Sequence, residues 1–183
     1  MVDLIAKSPA AGLLPFVAGG VTLAEIVPDF ITSIMPHRGA RAAVSAALKQ
    51  AHGMALPGDG RTSGRAALRA VWTGRGQYFL IGEAAADASL AAVASLSDQS
   101  DGWALLTLEG DAAADVLARI CPLDLRAGSF RRGDTARTEV AHMMAVVTRS
   151  ARGFEIMVMR SFTRTAVAQI TGAMRSVAAQ GAG

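Results

Sequence analysis

One stretch of the sequence, residues 100–126, constrains the fold more than any other. Trp103 to Leu108 is an apolar run of strand length, and Gly110 then supplies a turn. Asp111 is placed to accept the open N–H groups in the first turn of a helix over residues 111–121, which a proline then ends. The stretch therefore predicts a core strand followed by a capped helix, and it contains no pattern that indicates catalysis.

The order of the remaining segments predicts an α+β domain made of two similar halves. An interrupted apolar arm over residues 1–19 comes first, and it must lie on this domain or on another chain. The halves, 20–96 and 97–183, each follow the order strand, helix, two strands, helix, which predicts antiparallel sheets covered by helices. Helices are predicted over 39–53, 83–96, 111–121 and 161–179, strands over 138–147 and 153–160, and a loop over 54–66.

The charge distribution is more informative than the net charge of +3. Residues 126–183 hold nine basic and three acidic side chains, a net charge of +6. A basic region of this kind can face an acidic partner, nucleic acid or water. Aromatic residues make up only 5% of the chain and do not alternate with the arginines, which disfavours nucleic acid.

The apolar fraction of 51% is high beside a charged fraction of 18%. Two explanations remain open: alanine raises the apolar fraction without demanding deep burial, or a large surface is covered by partner chains.

The single cysteine, Cys121, excludes an intrachain disulfide and a cysteine-based zinc site. It also suits a reducing compartment. The first residues are not clearly basic, and no uninterrupted apolar run approaches the roughly 20 residues that span a membrane. The sequence therefore predicts a cytoplasmic protein with no membrane contact.

The inventory of catalytic residues is small. His37, His52 and His142 have no metal-ligand spacing, and no nucleophile elbow or Walker-type loop occurs. The glycines of the 54–66 loop are spaced one residue too far apart for a dinucleotide-binding fingerprint. No catalytic, cofactor-binding or metal-binding residue is predicted.

Four residues are instead candidates for contact with a partner protein: Trp103, Phe130, Arg131 and Arg132. Tryptophan and arginine are the residue types that contribute most binding energy at protein interfaces. For Trp103 the alternative is an ordinary buried strand residue, and for the two arginines it is a solvated loop.

The stretch DQSDGWALLTLEGDAAADVLARICPLDLR, with FRRGDTART after it, closely resembles the gamma subunit of heterotetrameric sarcosine oxidases. The resemblance extends to SPAAGLL near the start, to the VWTGRGQYFLIG hairpin, and to RSF before the last helix. It covers nearly the whole chain. Thr73 and Arg75 depart from the pattern in the hairpin.

The resemblance implies a fold similar to the folate-binding domain of aminomethyltransferases. It also implies partner chains, the alpha, beta and delta subunits of an enzyme that oxidises the N-methyl group of sarcosine. The products are glycine, hydrogen peroxide and formaldehyde or 5,10-methylenetetrahydrofolate. FAD, FMN, NAD and tetrahydrofolate belong to the large alpha and beta chains and zinc to the delta chain, so the gamma chain is implied to be a non-catalytic, structural subunit.

Other functions stay open at this point. A free-standing folate-binding protein of the aminomethyltransferase type is one, although 183 residues are short for the full multi-domain enzyme. The gamma chain of a related N-methyl amino acid oxidase or dehydrogenase is another. An interaction role in an unrelated complex is the third.

Overall fold

The computed structural model describes residues 7–181, which form two antiparallel sheets with helices on their outer faces. The strands and helices in chain order are β1 (Phe16–Ala18), β2 (Val21–Ile26), β3 (Phe30–Pro36), α1 (Arg41–His52), β4 (Thr62–Arg65), β5 (Leu68–Gly74), β6 (Gln77–Gly82), β7 (Ala94–Asp98), β8 (Trp103–Glu109), α2 (Ala113–Ala118), β9 (Thr135–Val140), β10 (Met143–Arg149), β11 (Gly153–Met159) and α3 (Thr163–Gln180). Two short 3₁₀ turns, Ala88–Ala92 and Arg160–Phe162, precede β7 and α3.

The first sheet has the strand order β1-β2-β8-β11-β10-β9, and the second has the order β4-β5-β6-β3-β7. All neighbouring strands are antiparallel. The sheets are joined at one edge, where the Thr62 N–H donates to the Gly133 carbonyl at 3.0 Å and the Thr135 N–H donates to the Gly60 carbonyl at 2.9 Å.

Three apolar clusters form the core. One lies between the first sheet and helices α2 and α3, and a second lies between the second sheet and α1. The third lies between the two sheets and includes Phe79, Leu105 and Met157. Because successive strand residues point to opposite faces, Leu105 enters the inter-sheet cluster while Leu106 faces the helices. Burial on both faces explains why apolar residues follow one another from Trp103 to Leu106 in β8.

The predicted fold class is confirmed: this is an α+β protein with antiparallel sheets covered by helices. Pro28 lies between β2 and β3, which join different sheets. Helix α1 ends as predicted at Gly53, whose φ of +71° favours glycine.

The predicted helix over 83–96 is wrong. The segment forms the 3₁₀ turn Ala88–Ala92 and the first residues of β7, which pairs with β3. Alanine favours helix, but pairing with the sheet outweighs that weak local preference. Leu90, within the 3₁₀ turn, is fully buried.

The predicted helix over 111–121 is shorter in the structure, at Ala113–Ala118. Asp111 does not cap it, because Ala112 occupies the cap position without a side-chain hydrogen bond. Part of the predicted 54–66 loop forms strand β4.

The predicted strand over 138–147 is a hairpin of β9 and β10. Its two-residue turn consists of Ala141 and His142, with φ values of +49° and +65°. Turns of this kind normally carry glycine or asparagine, so the sequence gives no turn signal there.

Within the described residues, the N-terminal arm lies on its own domain. Ala10 is buried in the cluster beside α2 and α3, and β1 pairs with β2. Arg160 donates a 2.8 Å hydrogen bond to the Lys7 carbonyl. The first six residues of the predicted arm lie outside the described part of the chain. The division into halves at residue 96 stays a prediction, and β7 spans it.

Candidate partner-binding surface

The described residues contain no group of three or more His, Cys, Asp or Glu side chains placed to bind a metal ion. His52 is the last residue of α1, and its Nε2 accepts a 3.1 Å hydrogen bond from the Asp87 N–H. His142 is almost fully exposed, and its Nδ1 lies 4.0 Å from a Glu139 carboxylate oxygen. The His52 imidazole thus has a hydrogen-bond partner, and the His142 imidazole is in contact with solvent. Neither arrangement forms a catalytic set.

Cys121 lies in the wall of a cavity of about 460 Å³ between α2 and the β9–β10 hairpin. The thiol is buried, and burial raises its pKa above the ordinary value. A thiol with a raised pKa is held in its protonated form, so Cys121 is a poor nucleophile at neutral pH. The Cys121 thiol is therefore not an activated nucleophile in this cavity.

Asp98, at the end of β7, forms a local turn ahead of β8. Asp98 accepts hydrogen bonds from the Ser100 N–H at 2.9 Å and from the Ser100 hydroxyl at 2.6 Å. These bonds lower the pKa of the Asp98 carboxyl. The arrangement is an Asx turn, which accounts for an aspartate at this position without a catalytic role.

Trp103 lies at the border of the inter-sheet cluster. Its ring meets the Phe79 ring edge-on, with centroids 5.4 Å apart and an angle of 72° between the planes. The side chain is half-buried, so part of it packs inside this chain and part reaches the surface.

The loop of Phe130, Arg131 and Arg132 divides into a buried and an exposed part. Phe130 is only 8% exposed and packs in the cluster beside α2 and α3, so its side chain contacts its own domain. Arg131 and Arg132 are exposed. The Arg131 N–H donates to Asp134 at 2.6 Å, which fixes the loop backbone. The structure thus places the two arginines, and not Phe130, where a partner can reach them.

Large apolar side chains are exposed at one end of the two sheets. Strand β2 ends there, β8 begins there with Trp103, and β11 ends there with Met159, which pairs with Trp103. Strand β3 begins beside the segment that leads into β8, where the Ile31 N–H donates to the Ser100 hydroxyl at 3.0 Å. This apolar end surface consists of Ile26, Val27, Phe30, Met159 and Phe162, whose exposed fractions run from 37% to 71%. Exposed apolar side chains gathered in one place are typical of interaction sites.

A second surface feature, the basic cavity, lies where the two sheets meet. It has a volume of about 360 Å³ and is enclosed by the β4–β5 hairpin, the segment before β9 and the β10–β11 hairpin. Its charged lining consists of Arg65, Arg69, Arg132, Arg149, Arg152, Glu109 and Glu155.

Among solved structures, one match is a chain of "Heterotetrameric Sarcosine Oxidase from Corynebacterium sp. U-96 in complex with pyrrole 2-carboxylate". The TM-score is 0.79 at 26% sequence identity, and the alignment covers 94% of this chain and 96% of that chain. This chain has the fold of a sarcosine oxidase subunit. No protein-family model and no curated protein sequence matches it.

The near-complete coverage of both chains means that the sarcosine oxidase match is between whole chains and not between shared modules. It confirms the resemblance that the sequence phrases indicated. Within residues 7–181, no helix is both long and apolar enough to cross a bilayer.

Sequence reasoning missed both the apolar end surface and the basic cavity. The end surface joins residues from separate strands, and the cavity joins β4–β5 to the basic C-terminal third. The only sequence signal for the cavity was the excess of arginine after residue 125.

Proposed function

We propose that this chain is the gamma subunit of a four-chain, flavin-dependent sarcosine oxidase and that it is a structural subunit of that assembly. The end-to-end match to a chain of a heterotetrameric sarcosine oxidase is the observation that carries the proposal. In this proposal, alpha, beta and delta chains are the partners. The assembly oxidises the N-methyl group of sarcosine to give glycine, hydrogen peroxide and formaldehyde or 5,10-methylenetetrahydrofolate.

The chemistry of the described residues supports a role other than catalysis. The buried thiol of Cys121 has a raised pKa, and the imidazoles of His52 and His142 contact the Asp87 N–H and the Glu139 carboxylate. In the proposed assembly FAD, FMN, NAD and tetrahydrofolate bind to the alpha and beta chains and zinc to the delta chain, in the cytoplasm. This chain contributes surface area that completes the complex.

The apolar end surface supports a docking role. Val27 is 71% exposed and Phe30 is 40% exposed, although both are large apolar residues. Covering side chains of this kind stabilises a complex by about 25 cal/mol for each Å² of apolar area removed from water. A subunit that is never alone in the cell tolerates such exposure because its partner covers it.

Affinity purification of the tagged chain from its native host tests the proposal. The expected eluate contains three further chains, shows flavin absorption, and produces hydrogen peroxide when sarcosine is added. A colourless eluate that contains the tagged chain alone would contradict it. Titration of the isolated chain with tetrahydrofolate separates the folate-binding alternative, because a structural subunit shows no heat of binding.

A further inference from the structure

The walls of the basic cavity are held in place by backbone hydrogen bonds. The Gly133 N–H donates to the Arg149 carbonyl at 2.9 Å, and the Arg149 N–H donates to the Asp134 carbonyl at 2.9 Å. The segment that carries Arg132 is therefore fixed against the end of β10. On the opposite wall, Arg65 ends β4 and pairs with Leu68 of β5. Strand pairing and backbone hydrogen bonds therefore fix the positions of the backbone segments that carry the cavity's arginines.

The carboxylates around the cavity are already engaged. Arg69 Nη2 lies 2.6 Å from a Glu155 carboxylate oxygen, and Arg152 Nη2 lies 3.1 Å from a Glu109 oxygen. Asp134, beside the cavity, is ion-paired with Arg61 and accepts the Arg131 N–H. Among residues 7–181, no other carboxylate lines the cavity.

Three guanidinium groups of the cavity, those of Arg65, Arg132 and Arg149, form no ion pair within 4.0 Å among residues 7–181. Arg149 lies over the Phe154 ring, with its guanidinium carbon 4.5 Å from the ring centre. The cavity thus holds five positive and two negative side chains, an excess of three positive charges. Planar guanidinium forks bind oxyanions through paired N–H bonds.

We propose that the basic cavity is a docking site for carboxylate side chains of a partner subunit. This inference rests on the proposed function, which supplies a partner that covers the surface. Carboxylates that enter the cavity neutralise its excess charge and accept hydrogen bonds from the N–H groups of Arg65 and Arg132. Charged contacts of this kind fix the orientation of a partner, while apolar contacts contribute more of the affinity.

The double variant Arg65→Glu/Arg132→Glu tests the docking site directly. Both side chains are exposed and form no ion pair within the described residues, so the fold is retained. The matched control is Arg38→Glu/Arg75→Glu, which makes the same charge change at two exposed positions outside the cavity. Thermal unfolding followed by circular dichroism checks that both variants fold.

The readout is the amount of each partner chain, identified by mass spectrometry, that co-purifies with the tagged chain at increasing salt. We expect the wild type and the control to retain the partners, and the cavity variant to lose at least about tenfold at the same salt because like charges repel at close range. Retention at the wild-type level by the cavity variant would overturn the inference while leaving the proposed function intact. If the wild-type chain retains no partner, the proposed function itself fails.

Arg132→Lys with a carbodiimide cross-linker identifies the occupant. The reagent condenses an amine with a carboxylate to form an amide, and the reagent leaves as a urea. The chain has only two native lysines, so the background is low. We expect a cross-link from position 132 to an aspartate or glutamate of a partner subunit, and none from the control Arg75→Lys. The absence of a cross-link at position 132 would overturn the proposal. Thermal unfolding with added phosphate tests a second occupant. If phosphate raises the Tm of the wild type but not of the cavity variant, and the variant keeps its partners, the occupant is a small anion and the proposal is overturned.

Discussion

Glu155 forms an ion pair that connects the two sheets. Its carboxylate accepts a 2.6 Å hydrogen bond from Arg69 of the opposite sheet, and the two side chains are only 19% and 11% exposed. The Arg69 Nε is buried without a hydrogen-bond partner among the described residues. The guanidinium therefore depends on Glu155 for its counter-charge.

Replacing Glu155 with glutamine keeps the shape of the side chain and leaves Arg69 without that charge. Breaking a fully buried pair costs about 3–5 kcal/mol, and partial exposure lowers the cost to about 2 kcal/mol of unfolding free energy. Urea unfolding of the purified chain measures the loss.

The control for this residue is Glu139→Gln. Glu139 is 63% exposed and lies 4.0 Å from the exposed His142, so its removal costs less than about 0.5 kcal/mol. If the two glutamine variants unfold at the same urea concentration, the ion pair does not stabilise the contact between the sheets.

At the residue scale, the sequence indicates which residue types suit an interface, but it does not indicate which residues lie close together in the fold. Arg132 was identified as a candidate because arginine is common at interfaces. Its proximity to Arg65 could not be predicted, since only the junction of the two sheets brings β4 and the segment before β9 together. Phe130 was grouped with Arg131 by sequence adjacency, and burial separates them.

Among the elements, strands β8 and β11 form the central pair of the first sheet. Gly153 is the first residue of β11. A Cβ built on Gly153 would lie 2.0 Å from the Leu108 carbonyl oxygen. Gly153→Ala must therefore push the two strands apart, at a cost of about 3 kcal/mol. Thermal unfolding of the variant measures this loss as a lower Tm.

Gly172 provides the matched glycine substitution in α3. A Cβ there meets no atom within 4 Å, and the residue is exposed. Gly172→Ala is expected to stabilise the chain by about 0.5–1 kcal/mol, because alanine loses less backbone entropy in a helix. A rise in Tm for Gly153→Ala, or a fall for Gly172→Ala, would contradict the packing described for these elements.

Elements with a local signal were predicted well, and those set by tertiary pairing were not. Strand β8 and helix α3 follow from apolar runs and helical spacing that are visible in the sequence. The turn at Ala141 and His142 has neither glycine nor asparagine, and β7 lies in an alanine-rich segment that favours helix. In both cases strand pairing determines the conformation.

For the whole molecule, the high apolar fraction has a structural explanation. Two sheets that face each other and carry helices outside require three apolar clusters in one small domain. The exposed side chains of the apolar end surface add an apolar area that no described residue covers. Both explanations raised by the composition therefore have a counterpart: exposed alanines such as Ala42, Ala43 and Ala46 of α1, and a surface suited to a partner.

In the proposed function, this chain is one subunit of a four-chain sarcosine oxidase in the cell. Native mass spectrometry of the tagged assembly, purified under gentle conditions, measures its composition directly. We predict a single species whose mass equals one copy of this 183-residue chain plus three different chains, one of them carrying flavin. A species with the mass of this chain alone, or of a multiple of it, would contradict the claim.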